Sequence, residues 1–288
     1  MLSYKNAYRN YISVLFMLYV KHRISLVKDV NIKVYLKSNE RLRVPYGWVS
    51  AFARLKNIEN SDISNLKLTT EGLSFRYNEN RILIDPARMS DLEAVFFTED
   101  YKFLNVTNRD VIDVGMNIGD SAIYFSINGA MQVIGLEPYP YAFSFAEKNV
   151  KLNGINNITL LNAGYGNDSK VIVDQRKFSF NGSSLINSVK GREIQILSLK
   201  SLIKKYNLKN IVLKMDCEGC EYALLNEEDA VFERLEMIQI EYHYGYEQLV
   251  KKLKHCGFNV KYTEPKKSFN PYAENTNMYI GFIYAKKF

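Results

Sequence analysis

Cysteine is scarce. The 288 residues hold three, Cys217, Cys220 and Cys256, too few to staple a secreted disulfide scaffold and in keeping with a reducing, cytoplasmic compartment. Long apolar runs are missing as well. The most apolar stretch, "YISVLFMLYV" from Tyr11 to Val20, falls well short of the roughly 20 residues that a bilayer-spanning helix takes. Basic residues flank it (Lys5, Arg9, Lys21, Arg23) and no small-residue cleavage site follows, which argues against a signal peptide. It reads as an N-terminal helix packed on the body of the protein, with peripheral contact at a membrane surface as the alternative. Internal repeats and low-complexity tracts are absent, so a repeat architecture is excluded.

What is present is core material. Hydrophobic residues make up 47% of the chain and charged residues 24%, with 21 Tyr and 16 Phe, an ordinary composition for a globular protein of one large domain or two smaller ones. The net charge of +7 lies partly in clusters such as Lys204–Lys205, Lys251–Lys252 and Lys266–Lys267. Such clusters are a solvated lysine-rich surface, or they attract an anionic partner such as an acidic glycan, a lipid head group or RNA.

The pattern changes near residue 105. Residues 1–105 read as a mixed helical and β cap, with a first helix and strands at "NIKVYL", "GLSFRY" and "RILI", the last two joined by a polar turn at Asn78–Asn80. Ser90 is placed to cap a helix in the segment that follows. Residues 106–288 alternate strands with helices. "VIDVG", "MQVIGLEP", "NITLLNAG", "EIQILSL", "NIVLKMD" and "MIQIEYH" read as strands, with helices at Ser121–Asn128, Tyr141–Leu152, "KSLIKKYNL", Tyr222–Leu235 and Tyr246–His255. That alternation predicts a doubly wound, mostly parallel sheet. "FNVKYT" and "MYIGFIYAKK" at the end, without a helix between them, suit an antiparallel edge hairpin.

The stretch "VIDVGMNIGDSAIYF" from Val111 is a strand, a glycine turn and a helix start. Backbone N–H groups left open at a helix start make the mouth of such a unit a ligand site. Glu137 ends the next strand about twenty residues on, where an acid can accept both hydroxyls of a ribose. The ligand is then a dinucleotide or S-adenosylmethionine. Asn117 stands where a pyrophosphate fingerprint wants glycine, and Asp113 and Asp120 flank the turn. Two carboxylates are poor neighbours for pyrophosphate and good ones for an ammonium and a sulfonium, which favours the methyl donor.

These stretches, with "VIGLEPYPYAFSFAEKNVKLNGINNITLLNAGYG" and "IVLKMDCEGCEYALL", resemble the FkbM family of S-adenosylmethionine-dependent methyltransferases. The resemblance runs from about Asp85 to Glu241. In its most distinctive block Lys214, Asp216, Glu218, Gly219 and Glu221 match, while Cys217 and Cys220 replace small apolar residues. The N-terminal hundred residues match poorly, apart from Ser90–Asp91 and Tyr101. The resemblance implies an α/β, Rossmann-like class I methyltransferase fold: a seven-stranded, mostly parallel sheet with an antiparallel last strand, beside an N-terminal α/β cap. It also implies methyl transfer to a hydroxyl, often on a sugar. By that match Gly115, Asn117, Gly119 and Asp120 meet the methionine end of the cofactor, Glu137 holds the ribose, and Asn162, Ala163 and Gly164 flank the adenine. Tyr101, Asp113 and Pro138 complete the cofactor-binding set.

A hydroxyl needs a base to remove its proton, and Asp216, Glu218 and His243, at the ends of two neighbouring strands, are the candidates. His243 can equally be a structural histidine, and Asp216 and Glu218 can instead tie down the turn after the strand. Cys217 and Cys220 alone would suggest zinc or redox chemistry, but they occupy positions that the family fills with small residues, and no metal ligands are assigned. The expected activity is O-methylation of a glycan, glycolipid or related hydroxylated metabolite by a cytoplasmic enzyme. The alternative is methylation of tRNA or rRNA. Nucleic acid is not the expected partner, because "MDCEG" stands where base-methylating enzymes carry an Asn/Asp-Pro-Pro-aromatic motif, and no RNA-binding module is appended.

Overall fold

A computed structural model describes residues 2–23, 31–58, 60–87, 92–174, 184–185, 187–270 and 275–287. Ser90 and Asp91 lie outside them. Contacts divide the chain into one unit of Met1–Asp100 with Lys151–Asn153, and a second of Tyr101–Val150 with Gly154–Phe288.

The first unit opens with helices Leu2–Ala7 and Tyr11–Arg23. The second of these packs by one face only. Val14 is buried, but Ile12, Phe16 and Tyr19 are 59–69% exposed. A run that is apolar all round has more faces than one neighbour can cover. No helix among the described residues is long and apolar enough to cross a membrane. Strands Asn31–Tyr35 and Arg41–Pro45 form an antiparallel pair, followed by helix Tyr46–Leu55. Ile63–Leu68, Leu73–Tyr77 and Asn80–Ile84 make a three-stranded antiparallel sheet. Its second hairpin turns at Asn78, whose left-handed φ of 50° is what a tight two-residue turn demands.

The second unit carries the large sheet. Its strands are β1 (Asp110–Val114), β2 (Gln132–Leu136), β3 (Ile158–Leu161), β4 (Ile211–Met215), β5 (Leu235–Tyr242), β6 (Asn259–Tyr262) and β7 (Asn277–Lys286). Their order is β6-β7-β5-β4-β1-β2-β3, and Lys266–Phe269 adds to β7. Strands β1 to β5 are parallel, while β7 runs antiparallel between β5 and β6. This is the Rossmann-like sheet with a reversed last strand. β1 and β4 are buried at every position, as parallel strands covered on both faces must be. The helices used below are α1 (Asp120–Ile127), α2 (Pro140–Leu152), α3 (Leu199–Tyr206) and α4 (Glu247–His255).

Two boundaries differ from the reading of the sequence. The third strand divides: Ile158–Leu161 stays in the large sheet, and Ala163–Tyr165 joins a side sheet with Ser169–Val173 and Arg192–Leu197. The single helix expected over 222–235 is instead a 3-10 helix, Cys220–Asn226, and a short α-helix, Asp229–Phe232. Between them, the Glu227 side chain is held by the Leu199 N–H at the start of α3.

Candidate active site

In an open parallel sheet the crevice lies beyond the carboxyl ends of the strands, where the strand order reverses. Here that point is between β1 and β4. After Val114 the chain passes through Gly115, Asn117 and Gly119, all left-handed, with φ of 76°, 47° and 83°. Glycine adopts this backbone freely and asparagine more readily than most residues. The absent side chains also have a packing reason. A Cβ on Gly115 would lie 1.8 Å from the Asp216 carbonyl oxygen, and one on Gly119 would lie 3.1 Å from Ala146. The glycines therefore let the ends of β1 and β4 meet and seat α1 on α2, and what they offer a ligand is backbone.

Glu137 follows β2 and is buried. Its carboxylate accepts from the backbone N–H of Asn117 at 3.2 Å and of Tyr139 at 2.8 Å. Burial outweighs those bonds and pushes its pKa up to about 8. The Asn162 amide donates to the carbonyls of Glu137 and Pro138 at 2.8 and 3.1 Å, which orients that side chain at the end of β3. Ala163 and Gly164 lie buried in the side sheet. A Cβ on Gly164 would come within 2.7 Å of Leu185 and Ile196. The side-chain oxygens of Asn117 and Asn162 are buried and accept no hydrogen bond among the described residues. Buried acceptors are rarely left so. The crevice thus fits a ligand that brings N–H donors, such as the ammonium and adenine amine of S-adenosylmethionine.

Three of the expected cofactor residues also make contacts within the chain. Asp113 is wholly buried, 3.0 Å from the Lys214 ammonium, and accepts from the Ser121 hydroxyl at 2.6 Å. Lys214 also donates to the Gly115 carbonyl at 2.8 Å, so the pair binds β1, β4 and α1 together. Burial pulls the Lys214 pKa down, but Asp113 and then Asp216 outweigh it and hold the ammonium above its ordinary range. The Tyr101 ring lies 5.4 Å from that ammonium, a cation–π distance. Asp120, also buried, sits in the first turn of α1 and accepts from the Ser121 N–H, where a negative charge suits the helix dipole.

A second group of acids gathers past β4 and β5. Asp216 follows β4, and Glu218 takes a left-handed φ of 55° that is uncommon outside glycine. Its carboxylate accepts from the Asn270 amide at 3.3 Å and lies 3.7 Å from His243 Nε2. Burial raises the Glu218 pKa to about 7, against the pull of His243. His243, 1% exposed, places Nδ1 2.9 Å from Glu221. Burial alone would lower its pKa, but the bond to Glu221 and the surrounding carboxylates raise it to about 10.

Cys217 and Cys220 form a disulfide, while Cys256 is free. The turn into the 3-10 helix brings their Cα atoms to 5.5 Å, within the span a disulfide bridges. The site also holds residues that the sequence analysis did not assign to it. Glu221 lies wholly buried behind His243, Lys214 lies beneath the glycine turn, and Glu241 has a carboxylate oxygen within 4.8 Å of ligand atoms of both Asp216 and His243. The first two stand in the block "KMDCEGCE". Glu241 and His243 are two residues apart at a strand end, which places them on one face.

The family described as the methyltransferase FkbM domain matches residues 113–260. A curated protein of Methanocaldococcus jannaschii, named as a protein N5-glutamine methyltransferase, is 36% identical over 53 residues, 18% of this chain and 27% of its own. The chain thus spans about a quarter of that relative's length. Among solved structures, TYW2 of M. jannaschii in complex with AdoMet is 16% identical at a TM-score of 0.40, covering 80% of this chain and 92% of that one. Trm5b of Pyrococcus abyssi is 16% identical at 0.41, covering 93% and 67%. Likeness at this level assigns no acceptor.

Proposed function

Since this chain belongs to the FkbM methyltransferase family, we propose that it methylates a hydroxyl of a glycan, a glycolipid or a related hydroxylated metabolite. The observation that carries the reading is the group of acids past β4 and β5, with Asp216 and Glu241 within 4.8 Å of each other and the Asp216 backbone packed against Gly115 of the glycine turn. Glu137 would accept the ribose hydroxyls of S-adenosylmethionine. The open oxygens of Asn117 and Asn162 would take its ammonium and its adenine amine. When bound, the cofactor supplies a methyl group carried on a positively charged sulfur.

The acceptor's proton is the chain's own task. Glu218 is the base that the geometry supports best, because its side chain is 17% exposed where that of His243 is 1% exposed. The carboxylate can reach an incoming hydroxyl and take its proton, while Asn270 and His243 hold it in place. Asp216, whose carboxylate makes no hydrogen bond among the described residues, lies in the same group, within 4.8 Å of Glu241 and His243.

Purified protein with methyl-labelled S-adenosylmethionine should transfer label to glycolipid or polysaccharide extracts as an alkali-stable ether. Glu218→Gln should slow turnover at least about a hundredfold with cofactor affinity within a few-fold. Label appearing only in tRNA, rRNA or protein would overturn the hydroxyl acceptor, and full activity of Glu218→Gln would overturn the base.

A further inference from the structure

Glu241 completes a set of donors that the proposed chemistry does not by itself require. One ligand atom each from Asp216, Glu241 and His243 lies within 4.8 Å of the other two. Glu241 stands on β5, and Asp216 and His243 directly follow β4 and β5, which are adjacent and parallel. A cluster of acids alone would not mark a site, but the histidine adds an independent sign. Its imidazole is 1% exposed, and Nδ1 faces Glu221 at 2.9 Å. Glu221 is wholly buried and committed as an acceptor. One oxygen takes the His243 backbone N–H at 2.9 Å, and the other takes the Gly219 N–H at 2.9 Å. Nδ1 is therefore the donor in that contact. Nε2 makes no hydrogen bond among the described residues and lies 3.7 Å from a Glu218 carboxylate oxygen. A buried carboxylate behind a histidine, with the far nitrogen open toward other acids, is how proteins orient an imidazole for a metal.

We propose that Asp216, Glu241 and His243 bind a divalent first-row metal ion, with Glu218 at its edge. One imidazole and two carboxylates form a mixed nitrogen and oxygen set suited to manganese, iron or zinc. The ion replaces a proton at Nε2 and offsets the charge of the acids that converge there. Its role, though not its existence, rests on the methyl-transfer reading: a bound ion would hold the acceptor oxygen and lower the pKa of its hydroxyl.

The test reads binding without cofactor or acceptor. Metal-stripped protein is titrated with Mn2+, and free ion is followed by its electron paramagnetic resonance signal. One ion per chain should bind. Glu241→Gln and His243→Ala should each weaken it at least tenfold, and Glu221→Gln by about 10–100-fold, with each fold checked by circular dichroism and melting. Asp229→Asn alters the exposed pair of Asp229 with His255, 3.0 Å apart, and should leave the stoichiometry at one. Failure of the wild-type chain to bind, binding that persists in both Glu241→Gln and His243→Ala, or loss in Asp229→Asn overturns the site. Binding without any methyl transfer to glycans leaves the site standing and counts against the acceptor instead.

Discussion

At Glu137 burial and hydrogen bonding pull in opposite directions, and burial wins. Its pKa rises from 4.5 to about 8. A carboxyl whose folded value is raised contributes stability in full below the unfolded value, and that stability is lost as pH climbs through the folded one. The free protein should therefore lose stability between about pH 4.5 and 8, and Glu137→Gln should flatten that decline in melting curves. Ligand hydroxyls donating to the carboxylate favour its ionised form. Cofactor affinity should then rise with pH up to about 8, with a proton released on binding near neutrality. Calorimetry in two buffers of different ionisation enthalpy measures that proton. Equal heats for the wild type, or proton release that persists in Glu137→Gln, would refute the assignment.

The turn between β1 and α1 works as one element with the end of β4. Gly115 is needed twice, for its φ of 76° and for the Asp216 carbonyl 1.8 Å from where a Cβ would stand. Gly115→Ala costs about 1–2 kcal/mol from the left-handed backbone alone, and the collision adds to it by forcing β4 away. At about 2–4 °C per kcal/mol for a chain of this size, the melting temperature should fall by several degrees without any ligand. A mutant melting within about 1 °C of wild type would show that the strand ends are not packed as described. Much of this element is legible in sequence, because two glycines and an asparagine after a β-branched run demand a turn. That Asp113 would pair with Lys214 is not legible, since the partner lies 101 positions away.

Over the whole molecule the charge is +7, and such an excess steers anionic partners through a field that salt screens. For an anionic glycan or glycolipid acceptor, KM should rise several-fold as salt goes from low to above physiological strength, with kcat little changed. For a neutral acceptor of the same size KM should stay flat. Initial-rate measurements on a matched acidic and neutral pair decide it. Equal salt response from both would show that the lysine clusters serve only solubility.

Periodicity and turn chemistry are local, so the sequence by itself determined the alternation of strands and helices, the glycine turn, Glu137 at the strand end and the block around Asp216. The strands themselves are legible because parallel ones buried on both faces must be apolar throughout. Tertiary structure decided which polar groups meet. Glu241 and Glu221 are two acids among 31 Asp and Glu, and neither declares a role until β4 and β5 lie side by side. The split of the third strand, the bonded pair Cys217–Cys220 and the exposed face of Tyr11–Arg23 were likewise settled by neighbours distant in sequence or by the geometry of a turn. Burial, pairing and charge compensation are properties of what surrounds a residue, and the chain supplies those surroundings only when it folds.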